Sequence, residues 1–189
     1  MGYAVSWLAV RGTNDELLLR QLQLEKTGEA ADPGDEMFTG SALPSGWWVL
    51  FINQCEHDFV KSSTLESLSA STEVLACSIE EHVMWSRAEL WRDGAEIWRI
   101  EHDAQKSIDD LATSGTLPST AAAIEKEFAA KQTEDEEVDY FFEIPLQVAK
   151  GIVGFKHDEA APGIVKFTML RNVGPNTPRR EKKPWWKFS

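Results

Sequence analysis

The sequence predicts an α+β fold, built from a mixed, largely antiparallel sheet of about seven strands with helices packed on it. Two runs, residues 3–10 and 46–53, are apolar at nearly every position, as interior strands are. Asp93 and Gly94 separate two further runs of strand-like composition, which predicts a tight β-hairpin at this dipeptide. Segments with helical periodicity lie between the strands and supply the layer that covers the sheet.

The first half of the chain is expected to alternate strands with short helices. Asn14 precedes two acidic residues, which predicts a capped helix over residues 15–22. A serine cap predicts a second helix over residues 64–68, and residues 73–79 have the composition of a strand. The segment 25–44 is rich in Gly, Pro and acidic residues, so we predict a surface loop there.

The second half begins with the hairpin, whose turn sets a register. If Asp93 and Gly94 form the whole loop, the strands 83–92 and 95–102 pair outward from Arg92 and Ala95. This places Trp91 opposite Glu96, Glu89 opposite Trp98, Arg87 opposite Ile100 and Trp85 opposite His102, all on one face. Both faces of the hairpin mix apolar and charged residues, so the alternation leaves open which face meets the core.

The remaining segments are expected to be mostly helical. Helices are predicted over residues 104–112, 120–132 and 146–153. Strands are predicted over residues 138–144 and 163–170. Together, residues 1–173 are predicted to form one α+β domain, followed by a basic, Pro- and Trp-rich C-terminal tail, residues 174–189.

Composition and charge exclude several function classes. The chain has 189 residues, 42% hydrophobic and 26% charged, which is the composition of a globular protein and not of a disordered one. The formal net charge is −12, so the surface repels phosphate backbones and anionic lipids, and we expect no nucleic-acid or membrane partner. A signal peptide and an apolar span are not evident, and with two cysteines a cytoplasmic, reduced protein is expected.

No motif in the chain points to a reaction. Cys55 and His57 are the only closely spaced pair of metal-ligating residues, so we expect no metal site and no cofactor. Ser86 or Ser78 could form a nucleophile with His102 as base and Asp103 as orienting group, but no Gly-x-Ser-x-Gly elbow presents the serine. Of the cysteines, Cys55 is expected to be the more reactive, because Cys77 lies in an apolar strand. We therefore expect no catalytic residue.

The predicted hairpin face is the candidate binding site. It combines aromatic and charged side chains, a composition typical of protein-binding hot spots and of ligand pockets. Its members are Trp85, Arg87, Glu89, Trp91, Glu96, Trp98 and His102.

Two function classes fit this face. The first is a non-enzymatic, acidic protein-binding module, for example a small inhibitor or immunity protein that neutralises a basic toxin. The second is a small-molecule enzyme or ligand-binding protein whose pocket uses the same Trp, Arg, Glu and His side chains. The absence of a catalytic motif and the acidic charge favour the first class.

Charge is divided unevenly along the chain. Residues 171–189 carry a net charge of +5, against −17 for residues 1–170. The tail also contains Trp185, Trp186 and Phe188, which would be costly to expose. We expect the tail to fold back on the acidic body. Contact with a second subunit and binding of an anionic partner are the alternatives, and the sequence does not set the oligomeric state.

Overall fold

A single sheet runs through the part of the chain that the structure describes. The structure is a computed structural model that describes residues 2–13, 15–160 and 166–173. The strands are β1 (Ala4–Arg11), β2 (Leu24–Ala30), β3 (Phe38–Ala42), β4 (Trp48–Ile52), β5 (Glu73–Glu80), β6 (Trp85–Arg92), β7 (Ala95–Asp103), β8 (Ala112–Gly115) and β9 (Thr168–Asn172). The helices are α1 (Asp15–Gln21), α2 (Ser62–Ser69), α3 (Ala121–Glu134) and α4 (Glu143–Val153), with a 3-10 turn at Asp58–Val60.

The strands are arranged in the order β2-β9-β3-β4-β1-β5-β6-β7-β8, and each neighbouring pair is antiparallel. The predicted α+β class with a large antiparallel sheet is confirmed, with nine strands where about seven were predicted. None of the described helices is long and apolar enough to span a membrane.

Helices cover both faces of the sheet and create two cores. Alternate residues of the central strands pack against α3 and α4 on one face, which we call the α3/α4 side. The intervening residues pack against α1 and α2 on the other face, the α1/α2 side. Burial on both faces explains why β1 and β4 are apolar at almost every position, as the sequence indicated. Trp7, Trp47 and Trp48 are buried in these cores.

The predicted loop over residues 25–44 is wrong, because β2 and β3 lie within it. The sequence of β2 is polar since this strand is at the edge of the sheet and most of its residues are exposed. In β3, Gly40 weakens the strand-like composition, and local packing explains why glycine occupies this position. A Cβ at this position would lie 2.3 Å from the Trp48 ring, so only glycine leaves room for the indole.

Two predictions in the second half are also corrected. The predicted helix over residues 104–112 is a set of turns that leads into β8. The predicted strand over residues 138–144 is the approach to α4, because the Asp139 carboxylate accepts a hydrogen bond from the Phe142 N–H at 3.0 Å and favours a helical turn there. The predicted positions of α1, α2, α3 and α4 are confirmed to within a few residues.

Some expectations concern residues outside the described ranges. These are the cap at Asn14, the start of the predicted strand over residues 163–170, and the fold-back of the tail, residues 174–189.

Candidate functional site

The hairpin of β6 and β7 turns where the sequence places it. Asp93 and Gly94 both have positive φ angles, 52° and 72°, as a tight turn of this type requires. Arg92 pairs with Ala95 and Trp91 with Glu96, as predicted. The next pair is Leu90 with Trp98, so Ile97 is an extra residue in β7 and forms a β-bulge.

The bulge changes the composition of the two hairpin faces. Beyond Ile97 every β7 residue is displaced by one position, and a displacement of one residue moves a side chain to the opposite face. Trp98 and His102 consequently lie on the α3/α4 side, away from Arg87 and Glu89. The predicted pairing of Trp85 with His102 is wrong; Trp85 faces Asp103, and His102 faces Ser86.

The seven predicted site residues therefore do not share one surface. Trp85, Arg87, Glu89, Trp91 and Glu96 lie on the α1/α2 side, and Trp98 and His102 lie on the other. Trp91 and Trp98 are buried, with 7% and 2% of their surface exposed, so their indoles pack in the two cores. Trp85 is half-buried and accessible. A single pocket lined by Arg87, Glu89, Trp98 and His102 is not assembled.

The residues that remain together form a continuous charged surface with two β7 residues that the predicted register had placed elsewhere. We call it the charged sheet face, and it consists of Arg87, Glu89, Glu96, Arg99 and Glu101. Opposite charges face each other across the two strands, since Arg87 pairs with Glu101 and Glu89 with Arg99.

Glu89 is the central residue of the charged sheet face. Its side chain is 4% exposed and accepts a hydrogen bond from the Trp91 Nε1–H at 2.8 Å. The nearest guanidinium nitrogens of Arg87 and Arg99 lie farther away, at 3.5 Å each. Burial raises the pKa of Glu89, and the hydrogen bond and the two arginines only partly oppose that effect.

The arginines are outnumbered by carboxylates. Arg87 lies 3.5 Å from a Glu56 oxygen and 3.7 Å from a Glu101 oxygen, and its guanidinium carbon is 5.0 Å from the centre of the Trp85 ring. Arg99 forms an ion pair with Glu96. Four carboxylates thus surround two guanidinium groups. Lys106, whose Nζ lies 3.8 Å from a Glu101 oxygen, adds a third cation, and the surface keeps an excess of negative charge where Glu96 and Glu101 are partly exposed.

His102 lies behind this surface in a closed environment. The side chain is fully buried; Nδ1 lies 2.7 Å from the Asp110 carbonyl oxygen and Nε2 lies 2.9 Å from an Asp139 carboxylate oxygen. Burial opposes a charge on the ring, but the hydrogen bonds to Asp139 and Asp110 raise the pKa of His102. Both nitrogens donate in this arrangement, which is that of a buried imidazolium paired with a carboxylate.

This arrangement does not make a nucleophile and its base. Ser86 is the cross-strand neighbour of His102, but its hydroxyl donates to the Phe142 carbonyl oxygen at 2.7 Å. His102 has no nitrogen left to accept a proton from Ser86. The pair of His102 and Asp139 instead holds the segments that contain Asp110 and Asp139 against the sheet.

The thiols and His57 are likewise committed to local structure. Burial, followed by the Glu56 and Glu80 carboxylates, raises the pKa of Cys55 to about 11, so this thiol is protonated at neutral pH. Burial also raises the pKa of Cys77. His57 Nδ1 accepts from the Phe59 N–H at 3.1 Å at the start of the 3-10 turn. Within the described ranges, no three potential ligands lie close enough to hold a metal ion.

A second polar cluster, which sequence reasoning missed, follows α4. The buried ammonium of Lys156 lies 3.0 Å from a Glu143 oxygen and 2.9 Å from an Asp158 oxygen. His157 packs its ring against Tyr3, with 5.0 Å between the ring centres. Burial lowers the pKa of His157, so this imidazole is neutral at pH 7. The ion pair of Lys156 with Glu143 joins this segment to α4, and the contact between His157 and Tyr3 joins it to the residue before β1.

Comparison of the chain with protein-family models, with curated proteins and with solved structures finds no match.

Proposed function

We propose that the chain is a non-enzymatic protein-binding module that binds a basic partner protein through the charged sheet face. The observation that carries the proposal is the convergence of four carboxylates on two guanidinium groups around the buried Glu89. Each arginine already has more acidic neighbours than it can neutralise. A cation supplied by a partner can therefore contact Glu96 and Glu101 without displacing an arginine. At Glu101 it would join the exposed Lys106 ammonium, which lies 3.8 Å from one carboxylate oxygen.

Charge and composition support a protein partner. The −17 on residues 1–170 accelerates encounter with a basic surface and repels nucleic acids. Trp85 adds a half-buried aromatic ring beside Arg87, and aromatic and Arg side chains supply much of the affinity of protein interfaces. In its most specific form, the proposal is that the chain acts as an inhibitor or immunity protein for a basic toxin.

Affinity capture with matched variants tests the proposal. The variant pair Glu96→Gln and Glu101→Gln removes two charges from the charged sheet face. A control pair, Glu29→Gln and Asp35→Asn, removes the same charge from exposed positions near the opposite edge of the sheet. Immobilised wild-type and control proteins are expected to retain the same basic protein from a native lysate, and the Glu96/Glu101 variant to lose it.

The result that contradicts the proposal is equal retention by both variants, or retention that follows total charge alone. The salt dependence of the association rate provides a second readout. Exposed charges are screened over about 10 Å at 0.1 M salt and about 3 Å at 1 M, so the wild-type rate is expected to fall with salt more steeply than that of the Glu96/Glu101 variant.

A further inference from the structure

The outer edge of β8 is unusually open for the edge of a sheet. All four of its residues, Ala112–Gly115, are exposed, and none is charged or proline. Proteins normally protect such edges with charged side chains, prolines, bulges or a covering segment, because unpaired backbone groups attract another strand. Among the residues that the structure describes, shortness is the one protective device of this strand.

The register shows which backbone groups are free. The Thr116 N–H donates to the Ile97 carbonyl oxygen at 3.0 Å, in line with the pairing of Arg99 with Ser114 and of Ile100 with Thr113. Backbone groups alternate in direction along an antiparallel strand, so those of Ser114 point towards β7. Those of Thr113 point away from the sheet, and its N–H and C=O are available to a further strand.

The side chains beside this edge indicate what such a strand would carry. Ala112 and Ser114 are on the same side of the sheet as the charged sheet face, next to Glu101 and Arg99. The Ser114 hydroxyl donates to Glu96 Oε1 at 2.9 Å, so the Glu96 carboxylate already reaches across to β8. Neighbouring strands are about 4.8 Å apart, and the small side chains of Ala112 and Ser114 leave a path from an added strand to both carboxylates.

We infer that β8 accepts an extended segment of the basic partner as a tenth strand. The backbone of the segment pairs with Thr113. Its alternate side chains are lysine or arginine and lie over Ala112 and Ser114, where they reach Glu101 and Glu96. This inference rests on the proposed function and adds the geometry of binding, since strand addition takes affinity from the backbone and specificity from alternate side chains.

Two synthetic peptides of identical composition serve as probes. One alternates lysine with threonine, and the other has all its lysines at one end. Strand addition predicts that the full-length protein binds the alternating peptide more tightly, as measured by fluorescence anisotropy. It also predicts that this peptide slows amide hydrogen exchange at Thr113, which requires no variant.

Thr113→Pro and Thr113→Val form a matched pair of variants. Proline removes the outward N–H but leaves the bonds between β7 and β8 intact, whereas valine keeps the N–H and changes only the side chain. The loss of one hydrogen bond is expected to weaken the alternating peptide about fivefold in Thr113→Pro. Thr113→Val is expected to bind like the wild type.

Three outcomes would overturn the inference. The first is equal binding of both peptides, or of neither, by the wild type; the second is unchanged exchange at Thr113. The third is that the wild type sediments as a dimer and Thr113→Pro as a monomer. This result would identify a second copy of the chain as the occupant of the β8 edge. If Thr113→Pro retains the partner captured from lysate but Glu96→Gln with Glu101→Gln loses it, strand addition fails while the proposed function stands.

Discussion

The two edge strands of the sheet, β2 and β8, differ in how they are protected against pairing with another strand. The β2 edge carries charged residues, and a register shift interrupts its pairing with β9 between Lys26 and Ala30. Ion pairs also join Lys26 to Asp15 and Glu25 to Arg171. The β8 edge has none of these features within its four residues. Charges, irregular pairing and cross-links blunt an edge, so the difference indicates that only the β8 edge is suited to accept a strand.

The glycines at the two edges differ in how closely the surrounding atoms pack against them. Gly28 in β2 and Gly115 in β8 both have positive φ angles, 84° and 75°. A side chain at Gly28 would meet nothing within 4 Å, whereas a Cβ at Gly115 would lie 2.1 Å from the Ile97 carbonyl oxygen. The β2 edge thus has open space beside its glycine. The β8 edge is fitted closely to the bulge in β7, so its position is fixed despite its exposure.

The largest loss of stability is expected from a substitution in the core next to β8. Trp98 pairs with Gly115 and its indole is buried on the α3/α4 side, so Trp98→Ala is expected to lower the free energy of unfolding by about 3–5 kcal/mol. Trp85→Ala, at a half-buried position, serves as the control, with an expected loss of about 1 kcal/mol. Denaturant unfolding measures both. A loss for Trp98→Ala as small as that of the control would contradict the assignment of Trp98 to the core.

The next largest loss of stability is expected from breaking the ion pair of His102 and Asp139, which anchors the segment before β8. Asp139→Asn leaves His102 without its carboxylate and is expected to lower the free energy of unfolding by about 3 kcal/mol at pH 6. Because His102 has a raised pKa in the folded protein, its contribution is complete below pH 6.5, the pKa of an ordinary histidine, and declines as pH rises through the folded-state pKa.

The difference between wild type and Asp139→Asn should accordingly narrow at alkaline pH. Denaturant unfolding of both proteins at a series of pH values above 6 measures it. Hydrogen exchange at β8 amides is expected to accelerate in Asp139→Asn, since the Asp110 carbonyl that precedes the strand also contacts His102. A difference that stays constant or widens with pH would refute the charged form of His102.

The two edge glycines provide a direct comparison of the edges. Gly115→Ala forces the Ile97 carbonyl to move and is expected to cost about 2–3 kcal/mol, whereas Gly28→Ala has only the conformational penalty of about 1 kcal/mol. The melting temperatures of the two variants, measured at one protein concentration, give the ranking. Equal losses would mean that the β8 edge is no more closely fitted than the β2 edge.

The smallest effect on stability is expected from the charged sheet face itself. Glu96→Gln combined with Glu101→Gln changes partly exposed ion pairs, which contribute about 0–1 kcal/mol each. The same substitutions are expected to remove partner binding. A variant with wild-type unfolding and lost binding therefore separates recognition from folding, whereas a strongly destabilised variant would assign these charges a structural role.

The central strands and the hairpin turn could be predicted from the sequence, because each is indicated by residues within the element itself. β1 is apolar on both faces, and Asp93 and Gly94 supply the positive φ angles of the turn. The bulge at Ile97 carries no such signal. It contains neither glycine nor proline, and Gly115, which lies against the Ile97 carbonyl, belongs to a strand with no apolar pattern.

The candidate site was consequently predicted only in part. The β6 members were placed together correctly, because alternation within one strand is independent of register. The predicted register implies the opposite face for Arg99 and Glu101, since a single extra residue in β7 reverses every assignment beyond it. Glu96, Arg99 and Glu101 share one face only because of the bulge, so the charged sheet face cannot be recognised from the sequence without it.

The position of β9 has a consequence for biosynthesis. This strand follows the other eight described strands in sequence but lies between β2 and β3, which are made early. The two early strands cannot pair with each other in the native order, and this half of the sheet must wait until β9 has left the ribosome. Until then β3 has one unpaired side, so the nascent protein depends on late, long-range closure, the slowest kind of step in forming a sheet.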